Sequence, residues 1–299
     1  MTAKMKKIRK SREDRIFDGI IYTIAVLLTL IALYPMYFIV IASISDPKAV
    51  AAGEVILFPS GLNLKGYENL FQYKQLWTGY LNTIIYAVLG TIICLAVNIP
   101  AAYALSRKEL FGRKLFVIFY LIPMFFTGGL IPTYMNIQNF DLYDSIWVMV
   151  LPFSVVTYYI IVARTFFSSS IPDELWEAAQ IDGAGTMRYF ITIVLPLSKA
   201  ILAVIALWSA VSQWNSYFNA MIYLRDDLLK PLQLVLRGIL INNQTASAML
   251  TGTAATEAKE MAELIKYSVI VISSAPIMCM YPFVQKYFNQ GVMVGSLKG

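Results

Sequence analysis

Residues 79–105 read GYLNTIIYAVLGTIICLAVNIPAAYAL, a run of 27 residues without one charged side chain. A helix needs ~20 apolar residues to cross a ~30 Å hydrocarbon core, so this stretch predicts a membrane span. An isolated strand is excluded, because its amides would lie unpaired in lipid. Five more stretches have the same character, from Phe17 to Ile44, Leu115 to Ile137, Ser145 to Ala163, Ala200 to Leu224 and Tyr267 to Gln285. The expected fold is therefore an all-α membrane protein of six transmembrane helices. Composition agrees: 58% of the 299 residues are hydrophobic and only 14% charged, against ~25% charged in soluble domains. Seven of the twelve prolines (Pro35, Pro100, Pro123, Pro132, Pro152, Pro276 and Pro282) fall in or beside these spans, where they predict bends.

Orientation follows from the cations, which concentrate in cytoplasmic loops. With the amino terminus inside, 16 of the 24 lysines and arginines are cytoplasmic: seven in the tail 1–16, then Arg107, Lys108, Arg113, Lys114, Arg164, Arg188, Lys199, Lys286 and Lys298. An even number of spans puts both termini in the cytoplasm. No Gly/Ser-rich linker divides the chain, which predicts a single transmembrane domain over 1–299. Its parts outside the bilayer are the basic tail 1–16, a cytoplasmic loop 170–196, an extracytoplasmic loop 225–266 and a carboxy-terminal cytoplasmic tail 286–299. The expected location is the cell membrane, as a multi-pass protein. The basic tail precedes a span, so its charge is read as topogenic and lipid-facing, with no nucleic-acid partner. The first span is long and lacks a small-residue cleavage site, which predicts a retained anchor.

Several chemistries are missing from the chain. There is no histidine, and Cys94 and Cys279 each lie in an apolar run without a second ligand, so neither a metal centre nor a disulfide framework is expected. None of the 18 aspartates and glutamates sits in the middle of a span, which argues against a proton- or sodium-coupled carrier. A lipid-modifying enzyme would show paired acids or a metal constellation at the membrane edge. No G-x-x-x-x-G-K-[ST] loop is present to cradle a nucleotide. If this chain pumps, the energy comes from another subunit.

The loop between the fourth and fifth spans carries the most information. It reads Ser170-Ile-Pro-Asp-Glu-Leu-Trp-Glu-Ala-Ala-Gln-Ile-Asp-Gly-Ala-Gly185. Pro172 suits the first helical position, Asp173 and Glu174 the first turn, and Gly183 or Gly185 the stop. On that helix Leu175, Ala178, Ala179 and Asp182 share a face, with Glu177 beside it. Small residues and one carboxylate fit a protein contact, and a solvated hairpin on the inner membrane face is the alternative.

Glu177-Ala178-Ala179, Gly183 and Ile193-x-Leu195-Pro196 match, position for position, the E-A-A loop of binding-protein-dependent ABC importer permeases. The chain resembles that family. Trp214-Asn215-Ser216-Tyr217-Phe218, the run from Pro231 to Leu240, Gly66-Tyr-Glu-Asn-Leu-Phe71 and the tail Gly291-Val-Met-Val-Gly-Ser-Leu-Lys-Gly299 are similar to its carbohydrate branch, the maltose-permease-like second subunit and the complex-oligosaccharide subgroup. The resemblance implies a type I importer bundle. It also implies a homologous second permease, two cytoplasmic ATPase subunits that bind ATP and Mg, and an extracytoplasmic solute-binding protein; this chain itself carries no cofactor and no catalytic residue. Glu177, Ala178, Ala179, Asp182, Gly183, Ile193, Leu195 and Pro196 would form the ATPase-docking element. Gly291, Gly295, Lys298 and Gly299 would lie in a tail reaching the ATPase in extended backbone. A permease for a non-sugar solute would share the E-A-A loop.

Sugars present hydroxyls together with an apolar C–H face, so a passage needs amides or hydroxyls beside aromatic rings. Trp208, Ser212, Gln213, Trp214, Asn215 and Tyr217 in the fifth span supply both, and Asn82 and Asn98 in the second span add amides. Two readings stand for each: lining of a passage, or an interfacial belt and bonds between helices.

Overall fold

The computed structural model describes residues 11–249 and 252–296, and every element among them is helical. The basic run 1–10 lies outside the described residues. The chain divides into two compact units, residues 1–70 with 243–271, and 71–242 with 272–299.

In the first unit the helix Arg12–Ser43 opens with a capping box: Ser11 Oγ accepts from Asp14 N and Asp14 Oδ2 from Ser11 N, each at 3.0 Å. Its apolar side chains are exposed along nearly the whole length, as a lipid-facing helix requires. Thr23 and Thr29 turn their hydroxyls back onto the carbonyls of Gly19 and Ala25, at 2.8 and 2.7 Å, so neither hydroxyl is left unpaired in hydrocarbon. Helix Lys65–Gln72 packs against the first part of Thr253–Ser296. Gly66 permits this: a Cβ there would stand 2.6 Å from Ser268 Oγ and 3.0 Å from the Leu264 carbonyl oxygen.

The second unit is built on helix Lys74–Ser106, the span that residues 79–105 predict. It packs along Lys199–Trp214 and Thr157–Ser170. Gly90 brings the first pair together, since a Cβ there would meet Gln213 Nε2 at 2.6 Å. At one end of the helix Ile99, Tyr103 and Leu105 join Ile160, Phe167, Tyr189 and Val194 in a core; towards the other, Tyr86 joins Met149, Val150 and Tyr223.

Several expected spans are not continuous helices. The stretch 115–137 is two helices, Arg113–Phe125 and Leu130–Asn139, meeting at 114° across a Gly128-Gly129 link in which Gly129 takes φ +86°. Pro123 and the glycine pair account for the turn. The stretch 145–163 is interrupted: Ile146–Val150 ends before Pro152, and helix resumes at Thr157–Ser170. The stretch 200–224 divides into Lys199–Trp214 and Tyr217–Tyr223. Conversely, residues 267–285 belong to one 44-residue helix, Thr253–Ser296, and part of the loop 225–266 is the helix Leu232–Met249. Among the described residues three helices are long and apolar enough to cross a membrane, or up to five if each bent pair is one span.

Candidate docking helix and passage

The polar loop folds as the helix Asp173–Ile181. Pro172, expected at the first helical position, is the N-cap instead, with ψ 142°. Asp173 and Glu174 occupy the first turn, where the free amides and the positive dipole end favour them. The helix stops in a full Schellman motif: Ala184 N donates to Ala179 O (2.8 Å) and Gly183 N to Gln180 O (3.0 Å), with Gly183 at φ +71°. A Cβ on Gly183 would meet nothing within 4 Å. Glycine is therefore required within this chain by the backbone angle and not by crowding.

The helix is rooted at its start. Lys108 Nζ lies 2.7 Å from Asp173 Oδ2, the Arg107 guanidinium sits 5.1 Å over the Trp176 ring, and Trp176 meets Tyr189 edge-on at 5.0 Å. The Lys108 ammonium hydrogen-bonds to the Asp173 carboxyl and holds it below the usual carboxylate range; the same bond raises Lys108. One sequence expectation needs correction here. Ala179 does not share the outer face, because it is 5% exposed and packs in the core beside Tyr189 and Phe190. The free face presents Leu175, Glu177, Ala178, Ile181 and Asp182, with Ile181 87% exposed. Ile193 and Leu195 are half-buried against the same core, while Pro196 is exposed. A π-turn, Phe190–Val194, precedes Pro196, whose ring and missing N–H do not fit a regular α turn over Thr192. Beyond it the chain bends by 81° at Ser198 into Lys199–Trp214.

The proposed passage residues separate into groups. Gln213 and Asn215, with Ser212, line a cleft of about 240 Å³ together with Ser209, Ser216, Asn219 and the rings of Phe153, Tyr159 and Phe218. Trp208 is not among the lining residues; its ring lies tilted against Tyr158 (5.5 Å) and the cleft residue Tyr159 (5.7 Å). Trp214 turns away: its Nε1 donates to Ser273 O at 3.0 Å and its ring meets Tyr80 edge-on. Tyr217 lies under the Arg237 guanidinium, 5.5 Å from its ring centre. The two asparagines bond to backbone. Asn82 Nδ2 donates to Leu228 O (2.7 Å) and Lys230 O (3.1 Å). Asn98, fully buried, donates to Cys94 O (2.6 Å) and Ser154 O (2.7 Å) and accepts from Val156 N (2.9 Å), so it satisfies the groups freed where 151–156 interrupts the helix.

The cleft also contains Ser209, Asn219 and Tyr159, which composition and motif matching do not single out, and Ser216, which lies in the matched motif but is not among the expected passage residues. Ser209, Ser212, Gln213 and Ser216 recur at helical three- and four-residue spacing, and this polar stripe is the signal in the sequence that marks them. Helical backbone runs through Gly291 and Gly295, where extended backbone was expected; Lys298 and Gly299 lie outside the described residues.

Long apolar helices, a rooted, Gly-terminated polar helix and an uncharged cleft of amides, hydroxyls and rings are features that suit a membrane transport subunit. Comparison with known proteins places it more closely. No protein-family model matches the chain. It is 34% identical over 291 residues, 96% of this chain and 100% of the relative, to the polygalacturonan/rhamnogalacturonan transport system permease protein YtcP of Bacillus subtilis (strain 168). Protein LplC of the same organism is 32% identical over 299 residues, 99% of this chain and 100% of the relative. A crystal structure of a bacterial ABC transporter involved in the import of the acidic polysaccharide alginate matches with TM-score 0.82 and 34% identity, covering 94% of this chain and 100% of that one. The chain belongs to the carbohydrate branch of the ABC importer permeases. It is an integral membrane transport subunit and not an enzyme.

Proposed function

We propose that the chain crosses the cell membrane six times with both termini in the cytoplasm, and imports acidic oligosaccharides in partnership with a second permease, two ATPases and an external binding protein. The observation that carries the coupling is the free face of helix 173–181, where Glu177, Ala178 and Asp182 project on a helix rooted by Trp176, Ala179 and the Lys108–Asp173 pair. A separate ATPase that binds ATP and Mg grips this face. Glu177 pairs with a cation of that subunit, Ala178 allows close approach, and the tail containing Gly291, Gly295, Lys298 and Gly299 reaches the same partner. Closure of the ATPases displaces the helix, and the π-turn and the bend at Ser198 pass the movement to helix 199–214, which lines the cleft. The bundle then opens outward, the binding protein releases its cargo, and hydrolysis restores the inward state.

Acidic cargo is favoured by two relatives, one named for polygalacturonan and rhamnogalacturonan and one described for alginate. The cleft itself has amides and hydroxyls beside rings and no charged lining residue, which suits sugar hydroxyls and C–H faces. Discrimination of the carboxylate then falls to the binding protein and the second permease. The test is ATP-dependent uptake of labelled galacturonide oligomers by proteoliposomes of the complete assembly, in competition with neutral maltooligosaccharides. Preferential uptake of the neutral sugars would reassign the cargo.

A further inference from the structure

The turn between helices 74–106 and 113–125 opens another cleft, of about 880 Å³, which shares no lining residue with the passage cleft. Four cations line it, Lys108, Arg113, Lys114 and Arg164, and no carboxylate does. Lys108 is neutralised by Asp173 at 2.7 Å. Arg164 donates Nε to the Leu105 carbonyl at 3.1 Å, which fixes its guanidinium, and Arg113 is close enough to repel it. Among the described residues no acidic side chain lies within ion-pair distance of Arg113, Lys114 or Arg164. Three like charges therefore share one cleft.

Arg113 and Lys114 also occupy the first turn of helix Arg113–Phe125, where no acidic residue is present and the cap, Gly112, offers no side chain. Cations belong at the other end of a helix, so this placement opposes the macrodipole as well as the neighbouring charges. Sequences break local rules at functional or strained sites, and the charge bias of cytoplasmic loops does not require that these cations converge on one cleft. The apolar side of the site indicates which kind. Leu115, Ile118, Phe119 and Ile122 follow at helical spacing and are all exposed, forming a stripe that runs from the cleft along the next two turns. A soluble anion has no use for such a stripe, and an acidic protein surface would not match it.

We propose that this cleft binds an anionic phospholipid, with its phosphate held by Arg113, Lys114 and Arg164 and an acyl chain laid along Leu115, Ile118, Phe119 and Ile122. The site is independent of the cargo and requires only that the chain be embedded in a bilayer. Each cation near an anionic membrane surface contributes about fivefold in affinity.

The test is native mass spectrometry of the full-length chain, purified in mild detergent with the subunits that accompany it. Phosphatidylglycerol and phosphatidylcholine of identical acyl chains are titrated separately, with inorganic phosphate as competitor. Phosphatidylglycerol is expected to be retained and phosphatidylcholine lost. Arg113→Gln with Lys114→Gln should weaken retention about twenty-fivefold, two cations at about fivefold each. Arg188→Gln with Lys199→Gln, cations outside the cleft, should leave it unchanged. Because the first pair opposes the helix dipole, its removal should raise Tm in lipid-free detergent while reducing the Tm gained on adding phosphatidylglycerol. Should the double variant not accumulate, Lys114→Gln alone, at an exposed side chain, is expected to show the fivefold loss. Equal retention of the two lipids, wild-type retention in the charge variants, displacement by inorganic phosphate at matched concentration, or cross-linking of position 113 to an accompanying protein in place of lipid would each overturn the proposal.

Discussion

Gly183 carries two requirements that can be separated by substitution. Its φ of +71° lies in the left-handed region, yet the space around it is open within this chain. If the backbone angle matters most, Gly183→Asn should keep most ATP-dependent uptake, Gly183→Ala should lose part of it through about 1 kcal/mol of strain, and Gly183→Val more. Equal loss in all three would show instead that the partner's close approach is limiting. A second residue-scale prediction concerns pH. Asp173 is held below its ordinary value by Lys108, so its contribution is complete above about pH 4, the free carboxylate range, and fades as pH falls through the lowered value. Lys108 is raised, so its contribution is complete below about pH 10 and fades as pH rises through the raised value. Between about pH 5 and about pH 9 the rooting of helix 173–181 should not change. The difference in thermal midpoint between wild type and Lys108→Met as a function of pH measures this, and a change in that difference near neutrality would contradict it.

At the scale of elements, the break at 151–156 is a built feature: the buried Asn98 amide bridges it, and the Ser154 hydroxyl bonds the Val150 carbonyl within it. Asn98→Leu leaves Val156 N–H and Ser154 C=O without their side-chain partner, a loss of about 2 kcal/mol. It should lower the thermal midpoint of the purified protein, and Asn82→Leu, at a less buried site, should lower it less. Equal, negligible shifts would mean that the break is held by packing alone. This same break explains why part of the fold is not legible in the sequence. Continuous hydropathy over 145–163 reports that a segment is apolar, not that one helix fills it. Pro152 is visible there, but the distant Asn98, which bonds Ser154 O and Val156 N, is not. Helix 232–249 escapes for the opposite reason, since Asn242-Asn243-Gln244 gives it the polarity of a loop. What reads correctly is local: the uncharged run 79–105, the acidic first turn at 173–174 and the glycine stop at 183. The inward turn of Ala179 depends on where Tyr103, Phe167 and Tyr189 pack, which no spacing within residues 170–185 reveals.

At the scale of the whole molecule, the chain has the parts of a transmission and lacks those of a motor. The missing nucleotide loop is evident from sequence, and membership of the ABC importer permeases accounts for it. In the mechanism we propose, the exposed face of helix 173–181 is the point at which work enters, with Glu177 as its charged contact. Truncating one partner of a desolvated interfacial charge pair costs ~2–5 kcal/mol, a loss large enough to separate hydrolysis from movement without unfolding the bundle. The decisive measurement is the ratio of cargo imported to ATP hydrolysed in proteoliposomes of the complete assembly, for wild type and Glu177→Ala. Our account predicts that the variant inserts normally and hydrolyses ATP while its import falls by at least about tenfold. Wild-type import in the variant, or import by vesicles containing no ATPase subunit, would contradict it.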